Sequence, residues 1–160
     1  MPVCFLSLGS NLGDREFYLK NGVEGLKHHG IHVVREASLY ETEPKDVGEQ
    51  PWFLNTALET STDLSAPELL AACLAIERAN QRERSDEKPP RTLDIDIIFY
   101  GSGVFREPGL TIPHPRLAER KFVLVPLNEI AAGFKDPVSG QTVAQLLEQC
   151  RDTSIVRLYE

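Results

Sequence analysis

The segment that most constrains the fold is residues 89–100, with the sequence Pro-Pro-Arg-Thr-Leu-Asp-Ile-Asp-Ile-Ile-Phe-Tyr. The opening prolines cannot donate to a β-ladder, and the alternation after them predicts a strand. One face would carry Leu93, Ile95, Ile97 and Phe99, and the other would carry Asp94, Asp96, Ile98 and Tyr100. Two carboxylates about 7 Å apart on one face can hold a divalent metal. Taken alone, the segment fits an exposed strand end equally well.

Composition narrows the class of protein. A chain of 160 residues is expected to form one domain, residues 1–160. The net charge of −7 disfavours general binding to nucleic acid or to an acidic membrane. The three cysteines have neither zinc nor disulfide spacing, so we expect a reduced, cytoplasmic protein. Neither a signal peptide nor an apolar run long enough to span a bilayer is evident.

The order of the elements predicts the fold class. Strands are expected at residues 3–8, 31–40, 53–61 and 93–100, with helices beginning near Asp14 and at the Ser65–Glu68 capping box. The second helix should end at about Gln81, and residues 41–52 should form a loop. This βαββαβ order predicts an α+β, ferredoxin-like core, an antiparallel sheet with helices on one face.

Further elements are expected after this core. A hairpin should return near Leu110, one helical turn is expected at residues 116–120, and a short helix should follow the apolar run at 122–127. Thr142 and Gln145 predict a capped helix, and residues 155–158 a last strand. The second face of the sheet would either hold a ligand site or be covered by these additions.

Two polar residues are candidates for a site. Asn55 would share a strand face with Phe53, and His114 lies between two prolines that hold its backbone extended. Each residue also has an ordinary structural interpretation, namely a local hydrogen bond for Asn55 and a turn residue for His114. The residues by themselves do not decide between these interpretations.

Several motifs in a fixed order suggest a family. They are Leu-Gly-Ser-Asn-Leu-Gly at 8–13, Tyr-Glu-Thr-Glu-Pro at 40–44, Phe-Leu-Asn at 53–55, Pro-Arg-Thr-Leu-Asp-Ile-Asp at 90–96, Ile-Pro-His-Pro at 112–115, and Phe-Val-Leu-Val-Pro-Leu at 122–127. Over nearly its whole length the chain resembles the 6-hydroxymethyl-7,8-dihydropterin pyrophosphokinases of folate biosynthesis. Members of that family have a ferredoxin-like fold and transfer a pyrophosphoryl group from ATP to the pterin, releasing AMP.

The resemblance implies roles for particular residues. Asp94 and Asp96 would bind two Mg²⁺ ions and, with Arg82 and Arg91, would be catalytic. The residues implied for the pterin are Thr42, Pro44, Lys45, Phe53, Asn55 and Phe122. The residues implied for ATP are Glu77, Arg84, Arg91, Thr111, His114 and Arg120. The implied partners are these two small molecules, without nucleic acid or membrane, and the protein is expected to be a monomer.

The chain departs from the family pattern before Arg91. Lys88, Pro89 and Pro90 stand where relatives usually have Gly-Pro, often with Trp before the Gly, and Gln81 replaces a common Gly. The departure concerns the loop, whose conformation the sequence does not give, and leaves the two aspartates unchanged.

A binding module and a different phosphotransferase are the two alternative functions for this chain. A ferredoxin-like RNA-binding module would need exposed aromatics on the central strands and a basic sheet, which the aspartates and the net charge of −7 oppose. A phosphotransferase for another flat heterocycle would share the metal site. Residues 42–55 and Phe122 favour a pterin.

Overall fold

The computed structural model describes residues 1–44, 51–80 and 92–160. The strands are β1 (Val3–Ser10), β2 (His32–Glu36), β3 (Tyr40–Thr42), β4 (Phe53–Ser61), β5 (Asp94–Tyr100), β6 (Phe105–Glu107), β7 (Leu110–Ile112) and β8 (Val156–Leu158). The helices are α1 (Arg15–His28), α2 (Ala66–Ala79), α3 (Lys121–Ala131) and α4 (Val143–Gln149), with a 3₁₀ turn at Leu117–Glu119. In these ranges no helix is long and apolar enough to cross a bilayer.

The main sheet has the predicted ferredoxin-like topology. Its strands lie in the order β5-β1-β4-β3-β8, β2 also pairs with β4, and every pairing is antiparallel. β6 and β7 form the expected separate hairpin. The sheet edge next to β1 is therefore β5, the strand that carries both aspartates.

The predicted strand at residues 31–40 is wrong in its extent, because the structure divides it into β2 and β3. Between them, Ala37 donates its N–H to Ala57 O at 2.9 Å and accepts a bond from Thr56 Oγ1 at 3.0 Å. Ser38 turns instead toward α3, where its N–H and hydroxyl both donate to Glu129 Oε2. β3 then continues to Thr42, beyond the predicted strand end, because β8 pairs with its outer edge.

The sheet has a hydrophobic core on each face. On the first face, α1 and α2 cover even-numbered residues of β1 and β4 such as Leu6, Leu8, Leu54 and Leu58. On the second face, α3 and α4 pack over a smaller cluster that includes Phe5. Since the C-terminal helices cover only part of the second face, the rest is available for a ligand site.

A β-bulge breaks the predicted alternation in β5. Phe5 pairs with Phe99 and Leu6 with Ile97, so Ile98 is an extra residue on β5. The bulge turns Phe99 to the second face, where its ring lies 4.7 Å from that of Phe134. Placing Phe99 with Leu93 and Ile95, as strict alternation does, is therefore wrong. Asp94 and Asp96 precede the bulge and remain on the second face.

The helix caps follow the sequence signals. Asp14 caps α1, and reciprocal capping boxes open α2 at Ser65 and α4 at Thr142. α2 ends at Ala79, slightly before the predicted Gln81.

α3 is longer than predicted, because it absorbs the whole apolar run at 122–127 and includes Pro126. A proline inside a helix costs about 3 kcal/mol. The buried residues Val123, Leu124, Leu127 and Ile130 offset that cost by packing on the second face.

Candidate functional site

A row of residues crosses the second face of the sheet from β5 to β4. Gly9 of β1 pairs with Asp94 on one side and with Asn55 on the other. Ser7 lies next along β1 and pairs with Asp96. With about 4.8 Å between neighbouring strands, Asp94 and Asn55 are roughly 10 Å apart. The sheet thus places a pair of carboxylates and an amide at opposite ends of a short platform whose centre is a glycine.

The amide of Asn55 is held in a defined orientation. Asn55 and Thr42 are buried, and Asn55 Nδ2 donates to Thr42 Oγ1 at 2.7 Å. Its Oδ1 lies over Gly9, where an added Cβ would come within 2.5 Å of Oδ1 and 3.6 Å of the Phe53 ring. Only glycine leaves room for the amide oxygen here, and the backbone of β1 forms the floor between Asn55 and Asp94.

A second group of predicted residues lines a cleft along the outer edge of β5, on the side away from β1. The cleft has a volume of about 530 Å³, and its lining includes Asp96, Thr111 and His114. His114 is fixed to that edge by its backbone N–H, which donates to Ile98 O at 3.1 Å. The structure therefore brings one of the two aspartates together with two residues predicted to contact ATP.

His114 is neutral at pH 7. Burial, with the positive charges of Arg120 and Arg116, lowers the pKa of its ring to about 4, although Asp94 acts in the opposite direction. Its Nδ1 accepts a hydrogen bond from the Arg116 N–H at 3.2 Å. The ring hydrogen is consequently on Nε2, which can donate to an oxygen of a bound anion.

Arg120 and Phe122 lie where α3 begins. The Arg120 guanidinium is 5.6 Å from the centroid of the Phe122 ring, a cation–π distance. Phe122 packs partly against the second-face core, and Phe53 borders the floor at Gly9. In the described part of the chain these two rings do not contact each other. Both aromatic residues thus lie on the face that carries the aspartates and Asn55.

Glu77 differs from Thr111, His114 and Arg120, because it is buried between α2 and β5. Only 2% of it is exposed, and its Oε2 accepts a bond from the Ile95 N–H at 2.8 Å. This bond fixes the start of β5, the part that bears Asp94. The observed contact is structural, and contact with ATP stays a prediction.

Several predicted residues fall outside the described ranges. They are Lys45, Arg82, Arg84 and Arg91. Pro44 is described and half-buried just after β3. Roles for these residues rest on the sequence alone.

The two aspartates fit a magnesium site completed by substrate. Within residues 1–44, 51–80 and 92–160 no group of three or more His, Cys, Asp or Glu side chains could hold a metal by itself. Mg²⁺ in proteins commonly takes one or two carboxylates and fills its remaining positions with water and phosphate oxygens. Asp94 and Asp96 are half-buried neighbours on one face and supply that donor set.

Two features of the site were not predicted from the sequence. Gly9 could have been found, since a glycine inside a strand often marks the close approach of a ligand or another group. The other feature joins Glu41 to Arg15 and Arg157, 2.9 and 2.7 Å away. These residues are far apart in the chain, and no local pattern connects them.

Comparison with known proteins shows to which family the chain is similar. The family model described as 7,8-dihydro-6-hydroxymethylpterin-pyrophosphokinase matches residues 5–132. A protein named 2-amino-4-hydroxy-6-hydroxymethyldihydropteridine pyrophosphokinase from Methylorubrum extorquens is 39% identical over 159 residues, covering 99% of both chains. The protein of the same name from Bacillus subtilis is 40% identical over 142 residues, covering 88% of this chain and 85% of that protein.

Other similar proteins are much longer. The folic acid synthesis protein fol1 of Pneumocystis carinii is 38% identical over 94% of this chain, which spans only 20% of that protein. Among solved structures, wild-type Plasmodium falciparum HPPK-DHPS superposes with a TM-score of 0.76 at 15% identity, over 92% of this chain and 43% of that one. That likeness shows a shared fold. With the family model matched over most of the chain and bacterial relatives matched along their length, the chain belongs to the 7,8-dihydro-6-hydroxymethylpterin-pyrophosphokinase family.

Proposed function

We propose that the chain transfers the β,γ-pyrophosphoryl group of ATP to the hydroxymethyl oxygen of 6-hydroxymethyl-7,8-dihydropterin. A bond forms between that oxygen and the β-phosphorus, the bond from the β-phosphorus to the oxygen of the α-phosphate breaks, and AMP leaves. The hydroxyl group loses its proton. Family membership supports the reaction, and relatives of similar length carry its name.

One structural observation carries the assignment of the sites. In the row Asp94–Gly9–Asn55, the carboxylate and the amide lie on one face roughly 10 Å apart, with Asp96 beside Asp94 on that face, and this supports a metal site and a pterin site there. The edge of a pterin ring has both hydrogen-bond donors and acceptors, which a fixed amide can complement. A site that pairs those groups also rejects analogues that lack them.

The position of each residue suggests which substrate it would contact. Asn55 and Thr42 would bind the pterin edge, while Phe53 and Phe122 would cover its faces. Pro44 and Lys45 are proposed as further pterin ligands on the resemblance alone. Thr111, His114 and Arg120 would contact ATP from the β5 edge, with Glu77 behind that strand, and Arg82, Arg84 and Arg91 would add phosphate contacts. Bound at Asp94 and Asp96, two Mg²⁺ ions would neutralise phosphate charge. Catalysis would then rest on alignment and electrostatics, without a covalent nucleophile.

We further propose that residues 1–160 act as one pyrophosphokinase domain and as a monomer. The candidate metal ligands Asp94 and Asp96 and the candidate pterin ligand Asn55 lie on a single sheet face of one chain. The proposed site therefore needs no second copy to complete it.

A direct assay tests the reaction. The purified protein is supplied with ATP, Mg²⁺ and the hydroxymethyl dihydropterin, and the products are separated by chromatography. AMP and the pterin diphosphate should appear in equal amounts. Release of ADP, or the absence of any product, would refute the proposal.

Asp96→Asn tests the metal assignment. The change keeps the shape of the side chain but removes its charge, so turnover should fall by about a thousandfold, since bound metal supplies several kcal/mol of charge stabilisation. Glu24→Gln, on the exposed side of α1, serves as a charge-matched control and should keep full activity. Unimpaired turnover in a folded Asp96→Asn protein would remove the metal role.

A further inference from the structure

The strand that carries Thr42 is short and depends on neighbours on both sides. β3 has only three residues, and it pairs with β4 on its inner edge and with β8 on its outer edge. Thr42 itself pairs with Phe53 on one side and Val156 on the other, and 1% of it is exposed. A strand of this length has few bonds of its own, so its position is set by the strands beside it.

Bonds outside the ladder fix β8 to both ends of β3. Glu43 donates its N–H to Ile155 O at 3.1 Å, and Ile155 donates its own N–H to Glu43 Oε1 at 2.8 Å. At the other end, Tyr159 donates its N–H to Leu39 O at 2.9 Å. The C-terminal strand therefore holds β3 along its whole length.

Arg157 extends this contact from β3 to the start of β4. Its guanidinium bonds Glu41 Oε1 at 2.7 Å and lies 4.6 Å from the centroid of the Trp52 ring. Arg15 bonds the other oxygen of Glu41 at 2.9 Å and also donates to Trp52 O at 2.9 Å. The two arginines hold the pKa of the Glu41 carboxyl below its ordinary value. Glu41 in the middle of β3 and Trp52, the residue just before β4, are thus joined by two cations.

We propose that β8, acting chiefly through Arg157, is a positioning element for pterin recognition. It fixes β3 from the outside, and β3 fixes Thr42, whose hydroxyl orients the Asn55 amide. The inference rests on the proposed pterin site and extends it to a segment that lies beyond residues 5–132, the part matched by the family model. The Arg157 side chain is 60% exposed and contacts Glu41 and the Trp52 ring, so its proposed effect on Thr42 is indirect and passes through Glu41 and β3.

The test separates binding of the two substrates. Calorimetry would measure the affinity for the hydroxymethyl dihydropterin and, independently, for a non-hydrolysable ATP analogue with Mg²⁺. Arg157→Ala should raise the Kd for the pterin about five- to tenfold, as expected for loss of an ion pair and a cation–π contact. Arg157→Lys should lie between, because lysine keeps the charge but not the planar stacking group.

A matched variant controls for general damage. Arg151→Ala removes a cation from the same C-terminal segment, away from β3, and should leave the pterin Kd unchanged. In each variant the thermal unfolding midpoint and the Kd for the ATP analogue are measured, and the latter should not change.

The outcomes distinguish the inference from the function on which it rests. Asn55→Ala must weaken pterin binding. If the affinity is unchanged, the proposed pterin site is wrong, and the proposed role of β8 is refuted together with it. If Asn55→Ala weakens binding while folded Arg157→Ala binds pterin normally, only the role of β8 is refuted. Equal losses for pterin and the ATP analogue would also refute it, because positioning of Thr42 should not reach the ATP cleft.

Discussion

Gly9 shows how one residue without a side chain can define a binding surface. A Cβ there would lie 2.5 Å from Asn55 Oδ1, so Gly9→Ala must displace the amide or the strand. We expect the pterin Kd to rise about tenfold, in line with the usual cost of overpacking. Calorimetry with pterin, and separately with an ATP analogue, would show whether the loss is confined to the pterin.

A second glycine provides the control for Gly9. In Gly22→Ala the new Cβ would meet Leu8 at 3.1 Å and Leu93 at 3.2 Å, on the opposite face of the sheet. This variant should lose stability but keep its pterin affinity. Normal pterin binding by Gly9→Ala would mean that the floor between Asn55 and Asp94 tolerates a methyl group.

The lowered pKa of His114 predicts that the stability of the protein depends on pH. Its pKa is lowered to about 4 in the folded protein, mainly by burial, whereas an exposed histidine titrates near 6.5. Between those values the unfolded chain binds a proton that the folded chain does not, so stability is full above about pH 6.5 and falls as the pH drops toward 4. Urea unfolding at several pH values should show a shallower fall for His114→Gln. Identical pH profiles for the two proteins would contradict this assignment.

At the scale of the elements, a reciprocal capping box stabilises the first turn of α2. Ser65 Oγ accepts from the Glu68 N–H at 3.3 Å, and Glu68 Oε1 accepts from the Ser65 N–H at 2.9 Å. Ser65→Ala should lower the free energy of unfolding by about 1 kcal/mol, as measured by urea denaturation. Thr142→Ala, at the equivalent capping box of α4, is expected to cost a similar amount. An unchanged free energy of unfolding for Ser65→Ala would contradict a stabilising role of the box.

Elements whose signals are local were the ones predicted correctly. The strand–helix alternation, the capping boxes at Ser65 and Thr142 and the order of motifs predicted the ferredoxin-like core and the family. The bulge at Ile98 was missed because alternation cannot show where one strand gains a residue relative to its neighbour. The end of β3 at Thr42 was missed for a related reason, since its outer partner comes more than a hundred positions later in the chain.

The whole molecule explains why the candidate site was only partly predictable. Asp94, Asp96, Asn55 and Thr42 were named from motifs, and the structure places them on one face. Gly9 and Arg157 were missed because their roles depend on contacts between distant parts of the chain. Asn55 lies over Gly9, and β8 with Arg157 pairs with β3. Contributions of this kind depend on the assembled sheet and leave little trace in any short segment.

Odd and even positions along β1 have different consequences for the protein. Leu6 and Leu8 enter the core beneath α1 and α2, whereas Ser7 and Gly9 face Asp96 and Asp94. A single strand therefore carries two nearly independent sets of constraints, interleaved residue by residue. Substitutions at Leu6 or Leu8 should mainly change the stability of the protein, whereas those at Ser7 or Gly9 should mainly change the surface on which the candidate ligands would lie.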